Sequence, residues 1–136
     1  MKLIVCLDDH NGMLFNGRRQ SRDRAVCKDI LDISGKHPIW MHTDSRKLFD
    51  GDCDRICCYQ DVPGVVPEAV YLFLEFDSVD QLLPMAETVV VYRWNRVYPA
   101  DVHFPEGYLG LAWTLCEIYE FPGCSHGKLT REVYRK

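Results

Sequence analysis

The sequence predicts an α/β fold: a mostly parallel central sheet flanked by helices and closed by a C-terminal antiparallel hairpin. Three observations carry this. The runs KLIVCL (2–7) and AVYLFLEF (69–76) are almost continuously apolar, as in strands covered on both faces. Segments with helical spacing lie between strand-like runs, so strand–helix–strand units follow one another. The last two strand-like segments, 112–121 and 128–135, alternate in polarity and flank a turn containing Pro122 and Gly123. That is the pattern of an antiparallel hairpin.

The first strand, 2–7, ends in Asp8 and Asp9. From Ser21 to Ser34 the apolar residues Val26, Cys27, Ile30, Leu31 and Ile33 recur at three and four positions and form one helix face. Ser21 is placed to cap its start and Gly35 to stop it. After Pro38, IWMH is the second strand. The stretch 44–49 reads as a short helix with Asp44 as its cap, and 55–59 as the third strand. Two prolines and a glycine make 62–67 a loop. Strand 69–76 follows, then a helix over 78–86 broken near Pro84, then strand 88–94, before the hairpin. No repeat or linker interrupts the 136 residues, which read as one domain, 1–136.

Composition narrows the function. No apolar run approaches the roughly 18–20 residues of a membrane span, and nothing at the start reads as a secretion signal. A net charge of −4 argues against broad nucleic-acid binding, which needs many neutralised phosphates. The seven cysteines are odd in number and several sit in apolar patterns. They read as buried thiols in a reducing cytoplasm rather than a disulfide framework or a metal centre. CDRICC (53–58) and CSH (124–126) lack paired C-x-x-C spacing. Asp8, Asp9 and His10 have no second cluster to complete a metal site. Self-association is left open.

Against the acidic balance stands NGRRQSRDR (16–24), with four arginines in nine positions. Arg22 and Arg24 lie at a helix start, where the helix dipole prefers acids, so an anion or nearby carboxylates must offset them. Arginine forks onto carboxylates and phosphates through two parallel hydrogen bonds. In YRWNR (92–96), Arg93 separates Tyr92 and Trp94, so the two aromatics share a strand face. They either fill the interior or offer a stacking surface for a flat ligand.

Four stretches in register resemble dihydrofolate reductase. YPADVHFP (98–105), followed by Trp113 and the final hairpin, is similar to that family's C-terminal part. LLPMAETVVVYRW (82–94) resembles its helix ending in Leu-Pro and the next strand. DDHNGMLFNG (8–17) resembles its Asn-Gly-Ile-Gly opening, and GKHPIWM (35–41) its Gly-Lys-Pro strand. The resemblance implies that family's fold over nearly the whole chain.

It also implies losses. The Gly-Gly that lets backbone approach the NADPH pyrophosphate falls at Leu74 and Glu75, and Met-Gly-Arg-x-Thr falls at Met41, His42, Thr43, Asp44 and Ser45. A side chain crowds the first site, a carboxylate repels pyrophosphate, and the arginine for the 2′-phosphate is gone. The reading is therefore against NADPH as cofactor. The Leu-Pro-Trp before the family's pterin-binding acid is replaced by Arg19, Gln20 and Ser21, with Asp23 the nearest candidate acid after a three-residue deletion.

The resulting expectation is a non-catalytic derivative of that fold. It would bind a small anionic ligand or a protein partner through Arg18, Arg19, Gln20, Ser21, Arg22 and Asp23, with Tyr92 and Trp94 behind them. The alternative is an NAD(P)H-dependent reductase with a rearranged cofactor site. Short bacterial proteins with a similar opening are labelled ribonuclease Z, but the His-x-His-x-Asp-His metal motif of that enzyme has no counterpart in the chain.

Overall fold

The computed structural model describes residues 1–105 and 107–136. In chain order they form β1 (Lys2–Leu7), β2 (Gly12–Phe15), β3 (Arg18–Arg19), α1 (Arg24–Ser34), β4 (Ile39–His42), β5 (Ile56–Tyr59), β6 (Tyr71–Phe73), α2 (Val79–Leu82), β7 (Thr88–Arg93), β8 (Val102–His103), α3 (Tyr108–Leu111), β9 (Thr114–Phe121) and β10 (Leu129–Arg135). Seven strands make one sheet in the order β5-β4-β6-β1-β7-β10-β9. β5, β4, β6, β1 and β7 run parallel, and β10 joins β7 and β9 antiparallel. The α/β sheet and its terminal hairpin are as the sequence patterning requires.

β1 is central, which explains its unbroken apolar run. Leu3, Val5 and Leu7 point into one core with Leu72, Val89 and Val91; Ile4 points into the other with Ile39, Met41, Phe73, Val90 and Tyr92. α1 covers the second face through Val26 and Ile30, both buried, with Ala25, Cys27, Leu31 and Ile33 at the margin. Truncating a fully buried residue such as Ile4 to alanine costs about 2–5 kcal/mol. The first face is closed by Leu82, Leu83, Phe104 and Trp113. Pro84 sits in a 3₁₀ turn, Leu83–Met85, that ends α2 early.

Four expectations need correction. Ser21 does not cap α1: the helix begins three residues later, and Asp23, extended at φ −153°, accepts from the Ala25 N–H. The 44–49 helix is only a 3₁₀ turn, Arg46–Leu48, with no side-chain cap, so Asp44 is not its cap. The 69–76 strand pairs only over β6, because the chain leaves the ladder after Phe73 to build the rim described below. The cysteines are not all core residues: Cys57, Cys58, Cys116 and Cys124 are exposed and Cys53 half-buried, whereas Cys6 and Cys27 are half-buried against the second core. Cys57, Cys58 and Cys116 lie on β5 and β9, the two sheet edges, where a strand lacks a neighbour on one side.

A second small sheet, β3-β2-β8, lies over the carboxyl end of β1. Its strands have two to four residues, too short for periodicity to reveal. It carries the arginine segment back across the ends of the parallel strands, where open α/β sheets place ligands.

Candidate functional site

The rim is built around three carboxylates that follow or face the parallel strand ends. Asp8, the residue after β1, is buried. It accepts from the backbone N–H of His10 (2.8 Å), Gly12 (2.8 Å) and Tyr98 (3.1 Å) and from the Gln20 amide (3.0 Å). Burial alone pushes this carboxyl up, but the four hydrogen bonds outweigh it and hold it below its usual range. A Cβ at position 12 would lie 2.8 Å from Asp8 Oδ2 and 2.5 Å from Gln20 Nε2, which explains the glycine. Gln20 thus faces inward; its Nε2 also donates to Pro99 O at 3.3 Å, and its buried Oε1 has no partner among the described residues.

Glu75, two residues past β6, takes Arg19 side on: Nε to Oε2 and Nη2 to Oε1 are both 2.9 Å. Ser45 Oγ adds a 2.7 Å hydrogen bond to Oε1, Arg19 Nη2 also donates to Asp44 O, and the guanidinium lies over the Phe76 ring. The hydrogen bond to Glu75 raises the Arg19 pKa further. Arg19 is therefore neutralised within the chain. The carboxylate at position 75 does not stand as a bare negative charge; it and Arg19 together occupy the space.

Asp23 is the third. Its side chain is fully buried, and besides capping α1 it accepts from the backbone N–H of Cys124 (2.9 Å), Ser125 (2.8 Å) and His126 (3.2 Å) and from His126 Nδ1 (3.0 Å). Desolvation pushes the carboxyl up; the hydrogen bonds from Cys124, the His126 ring, Ser125 and Ala25 overcome this and leave it at about 2. The β9–β10 turn folds around it closely enough that a Cβ on Gly123 would sit 2.6 Å from Oδ2. On the other edge of the imidazole, His126 Nε2 lies 3.1 Å from Ser21 Oγ and 2.9 Å from Tyr98 Oη, and Tyr98 Oη is 3.4 Å from Ser21 Oγ. Trp94 stacks on the ring at 4.9 Å and 24°.

Between the arginine segment and the β4 and β6 ends opens a cleft of about 760 Å³, lined by Arg18, Arg19, Ser21, Arg22, Asp44, Lys47 and Phe76, with Gly17 at its mouth. Among the described residues, Arg18, Arg22 and Lys47 enter no ion pair. Arg24 points elsewhere, 3.8 Å from Asp50. Cys27, in a neighbouring hollow with Asp23 and Arg22, has its thiol pushed up to about 12 by burial and carries little thiolate at neutral pH.

Of the residues singled out from sequence, Arg18, Arg19, Ser21 and Arg22 come together at the cleft, and Gln20 turns in to Asp8. Tyr92 and Trp94 are buried and present no stacking surface to a ligand. Tyr92 Oη donates to Asp29 at 2.6 Å, Arg131 Nη1 donates to both oxygens of Asp29, and the phenol is held well above its ordinary pKa by burial and Asp29. The space beneath α1 is filled. Lys47, Tyr98 and the ring of His126 escaped the sequence reading, because a turn contact to a helix cap 103 residues away leaves no local pattern. Among the described residues no group of three or more metal-binding side chains forms.

No protein-family model matches the chain, and no curated protein does. Among solved structures it is similar to dihydrofolate reductase from Enterococcus faecalis complexed with NADP(H) and RAB-propyl. The TM-score is 0.68 at 11% identity, over 98% of this chain and 94% of that one. The fold is that of dihydrofolate reductase.

Proposed function

We propose that the chain uses this fold as a binding module for a small anionic ligand, without the reductase reaction. The observation that carries the reading is the cationic cleft at the carboxyl end of the parallel strands. Arg18, Arg22 and Lys47 line it, with Asp44 as the acid among its lining residues. Arg19 is tied to Glu75, so the cleft's net positive charge comes from the other three cations set against Asp44. Two arginines and a lysine lining one concave site suit a phosphate- or carboxylate-bearing molecule.

Against hydride chemistry stand two facts of packing. Where the resemblance places the glycines for the pyrophosphate, Leu74 is buried and Glu75 is locked to Arg19 and Ser45. Where a flat ligand would have stacked on Tyr92, the ring fills the interior and its hydroxyl is tied to Asp29. A bound NADP(H) belongs to the neighbouring enzyme's own site.

Calorimetric titration with inorganic pyrophosphate tests the reading. Saturable, salt-weakened binding is expected, reduced at least about tenfold in an Arg18→Ala, Arg22→Ala, Lys47→Ala triple variant that melts like the parent. Equal affinity in that variant would sink it. A parallel NADPH titration followed by tryptophan fluorescence is expected to show no saturable quenching; quenching would restore the reductase reading.

A further inference from the structure

One group of side chains, with Ser21 on the cleft wall and His126 and Asp23 buried behind it, is arranged for more than binding. Ser21 Oγ, His126 and Asp23 stand in series: Oγ to Nε2 is 3.1 Å, and Nδ1 to Oδ2 is 3.0 Å. Asp23 is buried and held ionised by backbone N–H groups, so it accepts the Nδ1 proton and fixes the tautomer that leaves the Nε2 lone pair facing Ser21. Stacking on Trp94 sets the plane of the ring. Ser21 itself opens onto the cleft that Arg18, Arg22 and Lys47 line. A hydroxyl, a base and an acid that orients the base are the parts of an activated serine, recognised by geometry rather than chain order.

We propose that Ser21 is a nucleophile activated by His126 and Asp23, and that it cleaves an ester or thioester whose anionic portion is held by Arg18, Arg22 and Lys47. The substrate class rests on the binding reading above; the serine chemistry does not. Ser21 Oγ bonds to the carbonyl carbon as its proton passes to His126 Nε2, and the positive charges of the cleft offset the charge on the carbonyl oxygen. The C–O or C–S bond to the leaving group then breaks, and the leaving oxygen or sulfur takes the proton from Nε2. Water, deprotonated by Nε2, attacks the acyl-Ser21 carbon; the carboxylic acid leaves and Ser21 recovers its proton. Asp23 remains ionised throughout and stabilises the imidazolium. Tyr98 Oη, 2.9 Å from Nε2, is a second hydroxyl on the same lone pair and competes with Ser21 in the resting state.

The probe is a fluorophosphonate, which carries no anion and so reads the serine independently of the cleft's cations. The intact protein is treated with it and the adduct located by mass spectrometry. One adduct is expected, at Ser21, absent in Ser21→Ala and slowed about 10²-fold or more in His126→Gln. Tyr98→Phe is expected to label at least as fast as the parent. No adduct at Ser21 in folded parent protein would overturn the proposal, as would equal labelling in a His126→Gln variant that melts normally or loss of labelling in a folded Tyr98→Phe. Absent labelling with intact pyrophosphate binding removes the nucleophile alone. Labelling without pyrophosphate binding removes the assigned substrate class.

Discussion

Arg19 and Glu75, 56 residues apart, meet through two parallel 2.9 Å hydrogen bonds at the point where the small sheet crosses the end of β6. The pair pins the arginine segment over the large sheet, and Glu75 is the more buried partner. Glu75→Gln keeps the shape and removes the charge. It should lower stability by about 2 kcal/mol, seen as a lower urea midpoint at unchanged slope. The same variant frees a fourth cation, so pyrophosphate should bind more tightly. Weaker binding would mean that Arg19 positions the cleft instead of neutralising it.

Asp23 gives the protein an acid-sensitive joint. Its folded pKa of about 2 lies below the ordinary 3.8, so it favours the folded state fully above about pH 4, and this contribution fades as pH falls toward 2. The contribution is about 2 kcal/mol. Thermal melts between pH 6 and pH 2 should show a steeper loss in the parent than in Asp23→Asn. Parallel curves would remove Asp23 from the acid transition, leaving Asp8, which is shifted in the same direction.

Gly123 and Gly127 flank the same turn and should respond differently to alanine. A Cβ at 123 would meet Asp23 Oδ2 and His126 O, both at 2.6 Å, whereas one at 127 meets nothing within 4 Å. Gly123→Ala should therefore cost a few kcal/mol, as overpacking at a rigid contact does, and Gly127→Ala less than about 1 kcal/mol. Similar melting temperatures for the two would contradict the close wrapping of Asp23.

The thiols should divide by exposure. Cys57, Cys58, Cys116 and Cys124 are open to a disulfide reagent in native protein, while burial raises the Cys6 and Cys27 pKa values and withholds their thiolates. Timed labelling with peptide mapping should place the fast sites on the first four. Rapid modification of Cys6 would contradict the central position of β1.

The large sheet was legible because its strands carry dense apolar signals: β1 lies between two neighbours and two cores, and nothing but a continuous run satisfies that place. The α1 face was legible for the same reason through Val26 and Ile30. Its start was not, since Ser21 and Asp23 are both good caps, and the choice is made by three N–H groups about 100 residues downstream. The cysteines misled because apolar spelling, as in RICCY, does not distinguish a central strand from an edge. At the site, the clustering of four arginines was visible in the chain, but its division into Arg19 tied to Glu75, Arg24 turned to Asp50, and Arg18 and Arg22 open to the cleft depends on partners distant in sequence.

The clasp of the β9–β10 turn on Asp23 has a consequence for how the chain is made. Asp23 stands at the start of the first helix, and the turn that clasps it lies about 100 residues further along the chain. The partner of the central strand, β7, is likewise flanked by β10, the last strand in chain order. Contacts of such sequence separation close late and slowly. A nascent chain therefore holds Asp23 unclasped and its sheet open along β7 until β10 has been made. A chain cut before β10 would keep most of its core residues and leave β7 without its antiparallel neighbour.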